Sequence, residues 1–210
     1  MGSMGMEEHF EDQRKPRILC LHGFRTSGEI MKKQVHKWPK SVLEKMDLVF
    51  LDAPFPAEGK SDLEGVFDPP YYEWFQFEKG ALLSGALPGL QEKGMALRKV
   101  PKIKFLIIIG GANVRVASVA EKAYSSPIEC PSLHFLGETD FLKPRGIKLL
   151  ESFVNPVTIY HPKGHTVPRL DENSLEKMLS FLERIQNKLS ANEHSSLYLS
   201  LSLSRLMTLV

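Results

Sequence analysis

Short, mostly apolar runs closed by glycine or proline alternate along this chain with longer stretches in which apolar residues recur every three or four positions. Residues 17–21, Arg-Ile-Leu-Cys-Leu, form the first such run, and His22-Gly23-Phe24 stops it. This is the signature of a buried parallel strand ending in a loop. Over residues 29–45 the apolar positions Ile30, Met31, Val35, Trp38, Val42 and Leu43 lie among charges, predicting a helix interrupted at Pro39. A second strand is expected at residues 48–51. Residues 53–79 carry Pro54, Pro56, Pro69 and Pro70 together with seven aromatic residues, which reads as a loop or lid and not as a regular element.

The second half repeats the alternation. Small and apolar residues at 81–97 predict a helix broken near Pro88, followed by the clearest strand, residues 104–109, closed by Gly110-Gly111. Residues 132–136 and 157–160 are two more strands. A short helix at 145–153 follows Pro144. Leu175, Met178, Leu179, Leu182 and Ile185 give the stripe of a final helix at 174–189. Strands alternating with helices predict an α/β fold, a mainly parallel sheet with helices on both faces.

At 210 residues the chain suits one domain, expected at 16–189, between a flexible N-terminus (1–15) and a Ser/Leu-rich C-terminal extension (190–210). In the extension Leu197, Leu199, Leu201 and Leu203 alternate with polar or aromatic residues, so disorder and an edge strand are both open. Composition narrows the function classes. The net charge of +2 comes from interspersed acids and bases, which does not indicate nucleic acid. The extension falls short of a membrane span, and no signal peptide is visible at the start. Cys20 and Cys130 suggest neither a disulfide framework nor a paired-cysteine metal site, and fit a reducing cytosol, with the nucleus also open.

Three loops could carry chemistry. Asp140 follows the strand at 132–136 through a Gly-containing turn, and His165 follows the strand at 157–160. Acid before histidine is the chain order of an α/β-hydrolase, where the carboxylate orients the imidazole and the imidazole takes a proton from an attacking hydroxyl. Asp140 alone could be a turn or cap residue, and His165 alone a packed histidine; their joint placement favours function. Gly23 and Phe24 stand where this fold supplies an oxyanion-hole amide, a backbone N–H that meets negative charge developing on an acyl oxygen.

Residues 19–28 (LCLHGFRTSG), 50–54 (FLDAP), 72–75 (YEWF), 135–140 (FLGETD) and 162–168 (PKGHTVP) together resemble the family serine hydrolase group of α/β-hydrolases, which includes ovarian-cancer-associated esterase-like proteins. The similarity spans residues 16–188. It implies carboxyl-ester hydrolysis, an acyl pocket at Tyr72, Trp74 and Phe75, a small acyl ester or acyl-chain ligand, and no metal or organic cofactor. It leaves the oligomeric state open. The aromatic residues could equally be a proline-braced satellite core.

The family's nucleophile belongs in a Gly-x-Ser-x-Gly turn, and this chain has none. Residues 74–79 run directly into Gly80, as though a helix, a strand and the turn were absent, roughly 30 residues by the usual size of such a unit. Ser84 should lie on the following helix and Cys20 within a strand, so neither stands in for the serine. The expected sheet therefore lacks its central strand. Either the flanking strands, at 18–21 and 105–109, pair directly, or the chain is poorly stable. The sequence thus predicts an impaired serine hydrolase or a non-catalytic acyl-ligand or protein-binding module.

Overall fold

The computed structural model describes residues 15–61, 63–74 and 83–206, without the side chains of Leu83 and residues 192–206. Among the described residues, seven strands and six helices follow one another as β1 (Arg17–Leu21), α1 (Gly28–Val35), α2 (Lys40–Leu43), β2 (Asp47–Leu51), β3 (Phe55–Pro56), β4 (Tyr72–Glu73), α3 (Leu83–Glu92), β5 (Leu106–Ile109), α4 (Ala117–Ala123), β6 (Ser132–Gly137), α5 (Lys143–Leu150), β7 (Val157–His161) and α6 (Glu172–Leu206). The α/β alternation is as expected. Pro39 separates α1 from α2, since it has no N–H to continue the first helix and a fixed φ suited to starting the second.

The parallel strands form two sheets. β1 pairs with β2 from Arg17 opposite Asp47 to Leu21 opposite Leu51. β5, β6 and β7 form a separate parallel sheet in that order. Direct pairing of β1 with β5 is not formed, and no isolated bridge joins them. What joins the two sheets is side-chain packing. Val35, Trp38 and Val42 from the α1–α2 region, Leu133 and Phe135 from β6, Ile159 from β7, and Met178, Phe181 and Leu182 from α6 share one buried cluster. Ile18, Phe50 and Ile107 pack against it from β1, β2 and β5. The Trp38 and Phe135 rings stack with centroids 5.7 Å apart, and Trp38 Nε1 donates to the Pro168 carbonyl at 2.9 Å.

A second cluster, with Ile108, Ile128, Leu149 and Phe153, lies on the opposite face of β5 and β6. That half of the molecule has helices on both faces. On β1 the alternation that buries Cys20 leaves Leu19 55% exposed, so there the sheet is covered on one face only among the described residues.

Three expectations change. α3 continues through Pro88 instead of breaking there. Gly85, Ala86, Pro88 and Gly89 are all buried, and a Cβ on Gly89 would overlap the Ala123 carbonyl. This close packing on α4 compensates for the hydrogen bond that proline removes. The lid contains a two-residue antiparallel pair, β3 with β4. Finally, α6 runs on through Leu206, whereas composition had pointed to disorder or a strand after residue 189. The sequence from Glu172 to Leu206 contains neither glycine nor proline, so nothing in it interrupts the helical ladder.

Candidate active site

β6 is buried along its whole length, and its end fixes the acid. After Gly137 the chain makes a tight turn, with Asp140 N–H donating to the Gly137 carbonyl at 3.2 Å. The Asp140 side chain is 3% exposed and has two partners. Oδ1 accepts from Leu142 N–H at 2.8 Å, just ahead of α5, and Oδ2 lies 3.0 Å from His165 Nδ1. Asp140 is thus a turn-capping residue and the partner of the histidine at once. His165 leaves the end of β7 by the short loop through Gly164 and is 38% exposed.

This geometry leaves Nε2 of His165 as the nitrogen available for proton transfer, because Nδ1 faces the carboxylate. Among the described residues no hydroxyl or thiol hydrogen-bonds to Nε2. Ser84 sits in α3, as its sequence position implied. Cys20 and Cys130 are buried, and burial raises both thiols to about 11, which suppresses the thiolate needed for nucleophilic attack.

Three neighbours of the pair lie outside the sequence-predicted site residues. Gly110, at the end of β5, has φ +59, and a Cβ there would lie 2.8 Å from His165 Cε1 and Nδ1 and 3.2 Å from Asp140 Oδ2. Only a glycine allows that backbone to support the pair so closely. Its signal in the sequence was the Gly-Gly that closes the clearest strand. Phe141, 77% exposed, has its ring 5.2 Å from that of His165 and adds an apolar rim. His161 is buried beneath the same turn, and its Nδ1 has no hydrogen-bond partner among the described residues. Burial lowers its pKa, against the opposing pull of Asp140 and Glu138.

The loop after β1 is fixed by His22. Its Nε2 accepts from Ala53 N–H at 3.0 Å, which assigns the proton to Nδ1, and Nδ1 then donates to the Gly23 carbonyl at 2.8 Å. Burial lowers the pKa of His22, outweighing the Gly23 carbonyl and Asp52, in keeping with the neutral ring this network requires. The lid grips the same loop. Trp74 Nε1 donates to the His22 carbonyl at 2.8 Å, Tyr72 N–H donates to the Thr26 carbonyl at 2.7 Å, and Arg25 bonds Glu73 at 2.7 Å. The structure therefore places Gly23 and Phe24 with Tyr72 and Trp74, and Asp140 with His165. No hydrogen bond, ion pair or ring contact joins the two groups among the described residues. Phe75 and the Lys79–Gly80 junction lie outside those residues.

A cavity of about 680 Å³ lies away from this chemistry, along α1, α2 and β2, lined by residues including Gly28, Lys32, His36, Phe50 and Asp52. Among the described residues there is no cluster of three or more His, Cys, Asp or Glu side chains arranged to hold a metal ion. No helix there is long and apolar enough to cross a membrane.

A parallel sheet whose strand ends carry an acid and then a histidine, hydrogen-bonded to each other, is the frame of an α/β-hydrolase. Within that class, the family model described as serine hydrolase (FSH1) matches residues 11–80 and 77–176, and the chain belongs to that family. The two matched stretches meet where the elbow is missing. An esterase of Anopheles gambiae is 25% identical over 224 residues, covering 86% of this chain and 82% of its own length. Since 86% of 210 residues is about 181, about 43 of those 224 aligned positions stand opposite no residue of this chain. Esterase OVCA2 of Mus musculus is 26% identical, with 80% of this chain and 96% of that protein covered. Among solved structures, the crystal structure of esterase PE8 is 18% identical, covering 81% of this chain and 93% of its own, with a TM-score of 0.42.

Proposed function

We propose that this chain is an acyl-ester-binding member of its family in which ester turnover is severely impaired. The observation that carries the reading is the Asp140–His165 pair, held at 3.0 Å in a chain without a Gly-x-Ser-x-Gly elbow. In a complete triad the histidine takes the proton of a serine, which attacks the acyl carbon. Among the described residues no hydroxyl or thiol meets His165 Nε2, which leaves it solvent to activate, and no covalent acyl intermediate can form at a serine elbow. The second oxyanion amide, which belongs to the residue after the nucleophile, is lost with it. Removing the nucleophile of a triad costs about six powers of ten in turnover, leaving the residual contribution of the oxyanion hole and binding.

The esterase names of the relatives support an ester as the natural ligand of the complete family fold. Exposed Phe141 and Phe24 favour a second reading, a non-catalytic module whose apolar rim holds an acyl chain or a protein partner. The two buried thiols agree with a reducing cytosolic or nuclear setting. The missing segment makes the chain a shortened form, and a transcript crossing the Lys79–Gly80 junction is the direct test of that origin.

The deciding experiment treats the purified chain with a fluorophosphonate probe and assays a short-chain aryl ester, beside a chain with the serine elbow restored. No labelling and only residual turnover are expected of the unrestored chain. Turnover at the level of the restored chain, abolished by His165→Ala, would overturn the proposal. Saturable fatty-acyl binding without turnover would favour the second reading.

A further inference from the structure

The interrupted sheet and the C-terminal segment fit one another. β1 pairs only with β2, and β5 only with β6, so each has one edge with no strand partner among the described residues. Both strands face the same core, through Ile18 from β1 and Ile107 and Ile109 from β5. The opposite face, at Leu19, is open to water. A strand closing this interruption must therefore be apolar towards the core, polar on the other side and uncharged along its length.

Residues 195–204, Ser-Ser-Leu-Tyr-Leu-Ser-Leu-Ser-Leu-Ser, meet all three conditions. Their leucines recur every second position, the period of a strand and not of a helix. The span from Leu197 to Leu203 covers about 23 Å when extended, at about 3.3 Å per residue. That is more than the five residues of β1 or the four of β5 require. In the structure the backbone of this stretch continues α6. α6 packs on the core through Met178, Phe181, Leu182, Ile185 and Leu189, and converting the residues beyond 191 to a strand would leave those contacts in place.

We propose that self-association closes the interruption, with residues 195–203 of one copy entering as a strand between β1 and β5 of a second. The exchange is between copies because α6 runs unbroken from Glu172 to Leu206, with no glycine or proline at which the chain could reverse onto its own sheet. Backbone hydrogen bonding supplies the attraction, and the leucine alternation sets the register.

Sedimentation equilibrium over a range of protein concentrations, combined with hydrogen exchange, tests this. The full chain should reach twice its 23.7 kDa mass as concentration rises. Truncation after Ala191 should return it to the monomer mass and speed exchange in β1 and β5. Leu199→Asp with Leu201→Asp should do the same at full length, and decides the matter if the truncated chain does not fold. A full chain that stays monomeric, association that survives both changes, or tail-dependent protection in a monomer would each overturn the proposal.

Discussion

Replacing Gly110 by alanine measures how closely the end of β5 supports the Asp140–His165 pair. Two costs combine. Holding an alanine at φ +59 costs about 1–2 kcal/mol, because Cβ crowds the following carbonyl. The new Cβ also lies 2.8 Å from two atoms of the His165 ring, which must swing away and give up its bond to Asp140 Oδ2. A hydrogen bond to a charged group contributes about 1.5–3 kcal/mol, but His165 is 38% exposed, so about 1–2 kcal/mol is the appropriate share. Gly94 supplies the control, since its φ is +64 and a Cβ there meets nothing within 4 Å. Urea unfolding should therefore show a loss of about 2–4 kcal/mol for Gly110→Ala and about 1–2 for Gly94→Ala. The excess should fall to what the 3.2 Å contact with Asp140 Oδ2 costs when Gly110→Ala is made in a His165→Ala chain, where no ring occupies the space. Equal losses at the two glycines, or an excess that persists undiminished without the ring, would refute the argument.

His134 is fully buried in β6 and bonded to Ser132 Oγ at 3.0 Å, and burial lowers its pKa from 6.5 to about 4. The unfolded chain takes up a proton below pH 6.5 while the folded chain does not, so this residue costs stability progressively as pH falls from about 6.5 to about 4, by about 3 kcal/mol in all. His134→Leu should flatten that part of the stability–pH curve; an unchanged slope would contradict the assignment. Trp38→Phe keeps an aromatic ring against Phe135 but leaves the buried Pro168 carbonyl without its donor, and urea denaturation should register a loss of about 1–3 kcal/mol. A loss below about 0.5 kcal/mol would mean that another donor replaces the indole.

Much of the fold was legible because its parallel strands are short, mostly apolar and closed by loops containing glycine or proline. Residues 17–21 form β1 as read, and the strands expected at 48–51, 104–109, 132–136 and 157–160 differ from β2, β5, β6 and β7 by one or two residues at an end. The order of Asp140 and His165 pointed to a pair that does lie within hydrogen-bonding distance. What the sequence concealed is set by contacts between distant elements. Pro88 remains helical because small residues let α3 approach α4 closely, and no local rule carries that information. His22 reads as part of an oxyanion loop, but its bond to Ala53 depends on the parallel placement of β1 beside β2. The proximity of Gly110 to His165 likewise follows from β5 and β7 flanking β6.

The stacked Trp38 and Phe135 rings imply an uneven mechanical character. A continuous sheet resists separation through many directional bonds that fail together, whereas here the two halves are coupled mainly by greasy, non-directional surfaces. Such a seam tolerates small sliding and yields early to denaturant, so each half should loosen as its own cooperative unit before the strands within it come apart.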